Sequence, residues 1–148
     1  MIVTYVFRIF SGSICAQPLL NNFTAFPDDI FNASGPSSPD NIPSSGRLYS
    51  IRPWCFSRSH LGENQFLEII LPAIFSLSAV ATVGGSQGFV TSYKLMYKVN
   101  GEEWSYATVN GEEVLQAGSS FCLVSLPIIL HLTIKQLARV IYVQIDRS

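Results

Sequence analysis

VTSYKLMYKVNGEEW, residues 90–104, is the most informative stretch of this chain: Tyr93, Leu95, Tyr97 and Val99 alternate with Lys94, Met96 and Lys98 and then run into Asn100-Gly101. A period of two puts one set of side chains on each face of a strand. Asn-Gly after such a run marks a hairpin, because both central residues of the tight turn take positive φ. A second pair, Asn110-Gly111, closes a return strand carrying Trp104 and Tyr106. Upstream, Leu67, Ile69 and Leu71 share one strand face, Phe66, Glu68 and Ile70 the other, and Pro72 is expected to stop the ladder. Near the end Ile141, Val143 and Ile145 alternate with Tyr142, Gln144 and Asp146. Short strands between turn signals, with no sustained helical period, predict an all-β chain of antiparallel strands, a sandwich or jelly roll.

The 148 residues suffice for one domain with a single core. With 48% hydrophobic and 13% charged residues the chain is too apolar for a disordered tail. Its net charge of −1, without a basic run, disfavours nucleic acid as a partner, since that affinity depends on releasing counterions. Residues 1–14 read either as a signal remnant, with Arg8 interrupting the apolar part, or as an N-terminal extension. The apolar run 121–134 is too short for a spanning helix and contains Pro127 and His131, so it reads as buried strand and no transmembrane segment is expected. Asn22-Phe23-Thr24 and Asn32-Ala33-Ser34 are N-glycosylation sequons and favour secretion. Asn32 to Gly46, NASGPSSPDNIPSSG, reads as a long surface loop and the first candidate functional segment.

Catalysis and metal binding find little support. Cys15, Cys55 and Cys122 lie far apart, without the close Cys or His spacing of a zinc site. Asp28 and Asp29 fall short of a calcium ligand set and read as an exposed turn. His60 and His131 accompany no nucleophile or metal motif, and Glu102, Glu103, Glu112 and Glu113 read as a solvated hairpin rim. Neither a cofactor nor an enzyme activity is expected.

Taken in order, Cys15 with Pro18-Leu19, Ile30 to Ser34, Gly46-Arg47-Leu48, Trp54-Cys55, FLEIIL (66–71), SAVATVGG (78–85), VTSYKLMYKVNGEEW (90–104) and LARVIYVQI (137–145) resemble the discoidin family, the coagulation factor 5/8 C-terminal type domain. The resemblance implies a discoidin-like β-sandwich or jelly-roll barrel of the galactose-binding type over residues 15–148. It also implies a further terminal strand, with a Cys partner for Cys15 and one for Cys55, that this sequence does not contain. Ligands would bind at three end loops, Ser34 to Ile42, Ser50 to Trp54 and Gly84 to Phe89. The candidate ligand residues there are Ser34, Ser37, Ser38, Asp40, Asn41, Arg52, Trp54, Gly85, Ser86, Gln87 and Phe89.

Phe89 also reads as the buried aromatic opening the next strand, and Trp54 and Trp104 as core rather than sugar platforms. Arg47, Arg52 and Arg58 could meet an anionic phosphate or sulfated sugar, but Arg47 lies in the family's recurrent Arg-Leu pair, which favours a structural ion pair or a strand-edge role over ligand contact. The expected partner is a membrane phospholipid headgroup or a cell-surface glycan, with an extracellular-matrix or cell-surface protein as a further class, and the expected location is extracellular. The rival readings are a carbohydrate-binding appendage of a multidomain enzyme and a truncated domain without binding activity.

Overall fold

The computed structural model describes residues 4–7, 19–35, 42–47, 50, 54, 65–77, 79–82, 92–108, 111–116 and 136–146. These residues are all-β, with 3-10 turns at Leu19–Asn21, Asp28–Ile30 and Pro43–Gly46. The strands are β1 (Thr4–Phe7), β2 (Phe31–Ala33), β3 (Gln65–Leu77), β4 (Ala79–Thr82), β5 (Ser92–Lys98), β6 (Ser105–Tyr106), β7 (Val114–Gln116) and β8 (Gln136–Asp146). β1 pairs antiparallel with β4. The other six form one antiparallel sheet in the order β2-β3-β8-β5, and both β6 and β7 pair with the outer edge of β5.

The register explains which letters alternate. Ala33, Leu67, Val143 and Leu95 form one row across the sheet, and Phe31, Ile69, Ile141 and Tyr97 the next. Because the side-chain period is two, these rows share a face, and their members together with Leu20, Phe26, Trp54, Leu71, Tyr93, Ala107 and Ala138 make up the core. Burying each large aliphatic side chain contributes about 1.5–3 kcal/mol relative to leaving it in water. The intervening residues Asn32, Glu68, Tyr142, Met96 and Tyr106 line the outer face.

Several expectations are corrected. Pro72 does not stop β3. The β3–β8 ladder breaks after Ile70↔Val140 and resumes at Phe75↔Ala138, so the residue without an N–H sits in an irregular gap where no donor is required. Trp104 is not core, being 36% exposed. The polar stretch 32–46 is not loop throughout: Asn32 and Ala33 pair with Glu68 and Leu67, and Ser44, Ser45 and Gly46 are buried. Small residues suit this position, because a Cβ on Gly46 would stand 2.7 Å from Leu67 Cδ2.

The first Asn-Gly expectation holds, whereas the second pair does not close the return strand, which rejoins β5 beyond Gly111 as β7. Gly101 has φ 79° and Gly111 φ 86°, and the Val99 carbonyl accepts the Glu102 N–H across the first turn. The return chain pairs as β6, leaves the ladder after Ala107 donates to the Leu95 carbonyl, and rejoins as β7. Glu102, Glu103, Glu112 and Glu113 are exposed, as a solvated rim requires.

Candidate functional site

A buried arginine organises the candidate site. Arg47 is only 3% exposed, and its guanidinium donates to Asp28 Oδ1 from Nε (3.3 Å) and Nη2 (2.9 Å), and to the carbonyls of Leu20 and Phe26. Its carbon Cζ lies 4.6 Å from the Phe23 ring centroid and 4.5 Å from that of Phe31. A planar fork of five donors suits this task, since it can satisfy carbonyls and a carboxylate at its edge while its faces stack on rings. One side chain thereby joins three segments, 19–26, 28–31 and 42–47. Of the two structural roles expected of Arg47, an ion pair or a strand-edge role, the structure shows the ion pair, with Asp28 on a 3-10 turn as its partner.

Local hydrogen bonds shape the walls. Asn22 Oδ1 accepts the Ala25 N–H (3.1 Å) and the Asn22 carbonyl accepts the Phe26 N–H (2.9 Å); Phe23 is thrown outward while Phe26 enters the core. On the other wall Pro43 opens a 3-10 turn closed by Ser45 N–H to Ile42 and Arg47 N–H to Ser44. Trp54 N–H donates to the Ser45 carbonyl and Ser50 N–H to that of Arg47, tying the second end-loop segment to the same wall.

Between these walls lies a cleft of about 360 Å³. Ser44, Ser45 and Arg47 line it as buried groups, and Asn21, Asp28 and Ser50 add polar atoms. Its exposed apolar members are Phe23 and Ile42, 65% and 49% accessible. The chemistry on offer is hydroxyl, amide and carboxylate hydrogen bonding beside one ring face, while Arg47 already donates four hydrogen bonds to Asp28, Leu20 and Phe26. Among the described residues no group of three His, Cys, Asp or Glu could hold a metal ion, and no helix is long and apolar enough to cross a membrane.

A second cluster occupies the outer face of the sheet. Phe66 stacks on Tyr142 (4.8 Å, 19°), Trp104 tilts against the same ring (5.5 Å, 58°), and Lys98 Nζ lies 4.3 Å from the Trp104 centroid. Burial, and secondarily the Glu68 charge, raises the pKa of Tyr142 above its ordinary value.

No protein-family model matches the chain, and no curated protein sequence matches it either. Among solved structures it is similar to the family 32 CBM (carbohydrate-binding module) from C. perfringens NanJ in complex with galactose, at 16% identity and a TM-score of 0.61 over 84% of this chain and 88% of that one. It is also similar to wild-type discoidin II from Dictyostelium discoideum, at 20% identity and a TM-score of 0.57 over 78% of this chain and 48% of that one. The fold is discoidin-type.

Within this discoidin-type fold the end-loop residues fare unequally. Ser34 Oγ donates to Gln65 Oε1 (2.8 Å) and accepts the Phe66 N–H (2.9 Å), so its hydroxyl ties β2 to β3. Trp54 is fully buried in the core, the alternative to a sugar platform. Ser37, Ser38, Asp40, Asn41, Arg52, Gly85, Ser86, Gln87 and Phe89 lie outside the described residues, as do the three cysteines, Arg58 and both histidines. The cleft nonetheless adjoins two of the three loops, because Ile42 ends the first and Ser50 opens the second. Ser44 and Ser45 fall at the end of the candidate segment 32–46, whereas Asn21 and Phe23 carry no ligand role in the sequence reading. The available signal was the small-residue run Pro43 to Gly46 directly before an Arg that has to be buried.

Proposed function

We propose that the chain is a non-catalytic, extracellular glycan-binding module that seats a sugar ring in the cleft between Phe23, Asp28, Ile42 and Ser44. The observation carrying this reading is the cleft's make-up: an exposed ring face beside neutral hydroxyls and one carboxylate, with the nearby cation already donating four hydrogen bonds to the protein itself. A pyranose presents an apolar C–H face to stack on a ring and hydroxyls to bridge serine and carboxylate oxygens. The galactose held by the discoidin-type neighbour from C. perfringens supports this class of ligand. Recognition of a phospholipid headgroup needs donors for phosphate, and Arg47 gives its own to Asp28, Leu20 and Phe26.

The test is calorimetric titration of the purified chain with galactose and a panel of neutral sugars, beside sedimentation with phosphatidylserine liposomes. Saturable sugar binding is expected, and Phe23→Ala should weaken it by roughly 2–10-fold, the worth of one stacking contact. Liposome binding without any sugar binding would overturn the proposal.

A further inference from the structure

The two sequons occupy different structural settings. Asn22 is exposed in a turn, followed by exposed Phe23 and Thr24. Its side-chain oxygen is held by the Ala25 N–H, and its Nδ2, the atom a glycan is attached to, has no hydrogen bond to a described residue. Asn32 lies within β2, its Nδ2 donates to Glu68 Oε2 (3.2 Å), and the hydroxyl of its sequon partner Ser34 is engaged with Gln65 and Phe66. Both amide oxygens are fixed by a backbone N–H, that of Asn22 by Ala25 and that of Asn32 by Ala33, but modification at Asn32 would replace its Nδ2 bond to Glu68 and set a bulky group against a sheet edge, whereas Asn22 has no such bond to a described residue to give up.

Asn22 also stands between two residues that line the cleft, Asn21 and Phe23. We infer that Asn22, and not Asn32, carries an N-linked glycan, and that this glycan covers the mouth of the cleft. Asn22 Nδ2 attacks the anomeric carbon of a lipid-pyrophosphate-linked oligosaccharide presented by a secretory-pathway transferase. The C–N bond forms, the bond from that carbon to the pyrophosphate oxygen breaks, and the lipid pyrophosphate leaves with the amide proton. An attached oligosaccharide is bulky and hydrophilic, so at this position it would stand over the exposed Phe23 ring and hold off ligands arriving at the cleft. The inference rests on the proposed extracellular location and deepens the proposed role of the cleft by giving it a modification-dependent cover.

The experiment uses the full chain secreted from eukaryotic cells, with glycans released enzymatically in heavy-oxygen water and the peptides mapped by mass spectrometry. Heavy Asp is expected at position 22 and unmodified Asn at 32; an unlabelled position 22, or comparable labelling at 32, overturns the assignment. Thr24→Ala removes the sequon while leaving the Asn22 turn bond intact, and Thr24→Ser should restore occupancy. Hydroxyl-radical labelling of Phe23 should rise several-fold in Thr24→Ala, and equal labelling of the two forms overturns the cover. Neither readout uses a sugar ligand, so failure of galactose binding would count against the proposed function alone.

Discussion

Arg47 between Phe23 and Phe31 and Lys98 over Trp104 are the same pairing, a cation against aromatic rings at 4.6, 4.5 and 4.3 Å, in two settings. Arg47 is buried and its edge is filled by two carbonyls and a carboxylate. Lys98 is half-buried on the outer face beside a Trp that solvent reaches. The attraction between ring and cation is worth about 0.5–1 kcal/mol at an exposed site and about 2 when desolvated. The difference in consequence is larger than that. Removing Arg47 strands polar groups that water cannot reach, while removing Lys98 lets water in.

The largest effect should therefore come from Arg47→Leu. It leaves the Leu20 and Phe26 carbonyls unpaired, each costing about 1–3 kcal/mol, and lets three segments separate. A loss of about 3–5 kcal/mol is expected in urea unfolding, out of a total of about 5–15, together with loss of the cleft. Asp28→Asn should cost only about 1 kcal/mol or less, because Asp28 is 58% exposed and its bond is screened by water. If the two variants proved equally damaging, the carboxylate and not the carbonyl cap would be the organising partner.

Gly46→Ala tests the same wall by packing. The added methyl would meet Leu67 Cδ2 at 2.7 Å in a residue with no exposed surface, so a loss of about 1–3 kcal/mol is expected on thermal unfolding. A neutral result would mean that Leu67 can turn aside and that the wall is more compliant than its burial suggests.

Much of the framework was legible in the letters. The alternations at Leu67, Ile69 and Leu71, at Tyr93 and Leu95, and at Ile141 and Val143 all mark core rows, because a half-buried strand imposes period two whatever its neighbours are. A structural rather than ligand-binding role for Arg47 was legible too. What escaped depends on tertiary context. Pro72 looks like a terminus in one dimension, yet it fits in the break of the ladder between Ile70 and Phe75. Trp104 looks like core by size, but the hairpin places it on the solvent side against Tyr142. Polar Ser44 and Ser45 look like loop, and they are buried because small side chains leave room for Arg47 and Leu67. The cleft draws on separate segments joined by the Arg47 fork and by the backbone bonds of Ser50 and Trp54, and no local pattern announces that.

On the outer face the expected losses are smaller. Lys98→Ala should cost about 0.5–1 kcal/mol, the exposed value for a cation on a ring, and the loss should be insensitive to Arg47 because the two clusters share no residue. A double-mutant cycle with Trp104→Ala checks it: a coupling near zero would reduce the Lys98 contact to coincidence and widen the contrast with Arg47.

The smallest effect at neutral pH belongs to Tyr142→Phe, and it grows in alkali. Tyr142 underlies both Phe66 and Trp104, and its hydroxyl titrates above the ordinary tyrosine value because burial, then Glu68, disfavours the phenolate. A raised folded pKa means that the native state holds the proton more tightly than the unfolded chain does. The stabilisation linked to that proton is complete below the unfolded value of about 10 and is lost as pH climbs through the folded one. Wild-type protein should thus lose stability more steeply than Tyr142→Phe between neutral pH and this alkaline range, and Glu68→Gln should reduce the difference by removing one of its two causes. Urea midpoints measured across that range for the three proteins decide it. Parallel curves for wild type and Tyr142→Phe would show the outer ring cluster to be as open to water as bulk tyrosine, leaving Arg47 as the site where burial gives aromatic contact its structural weight.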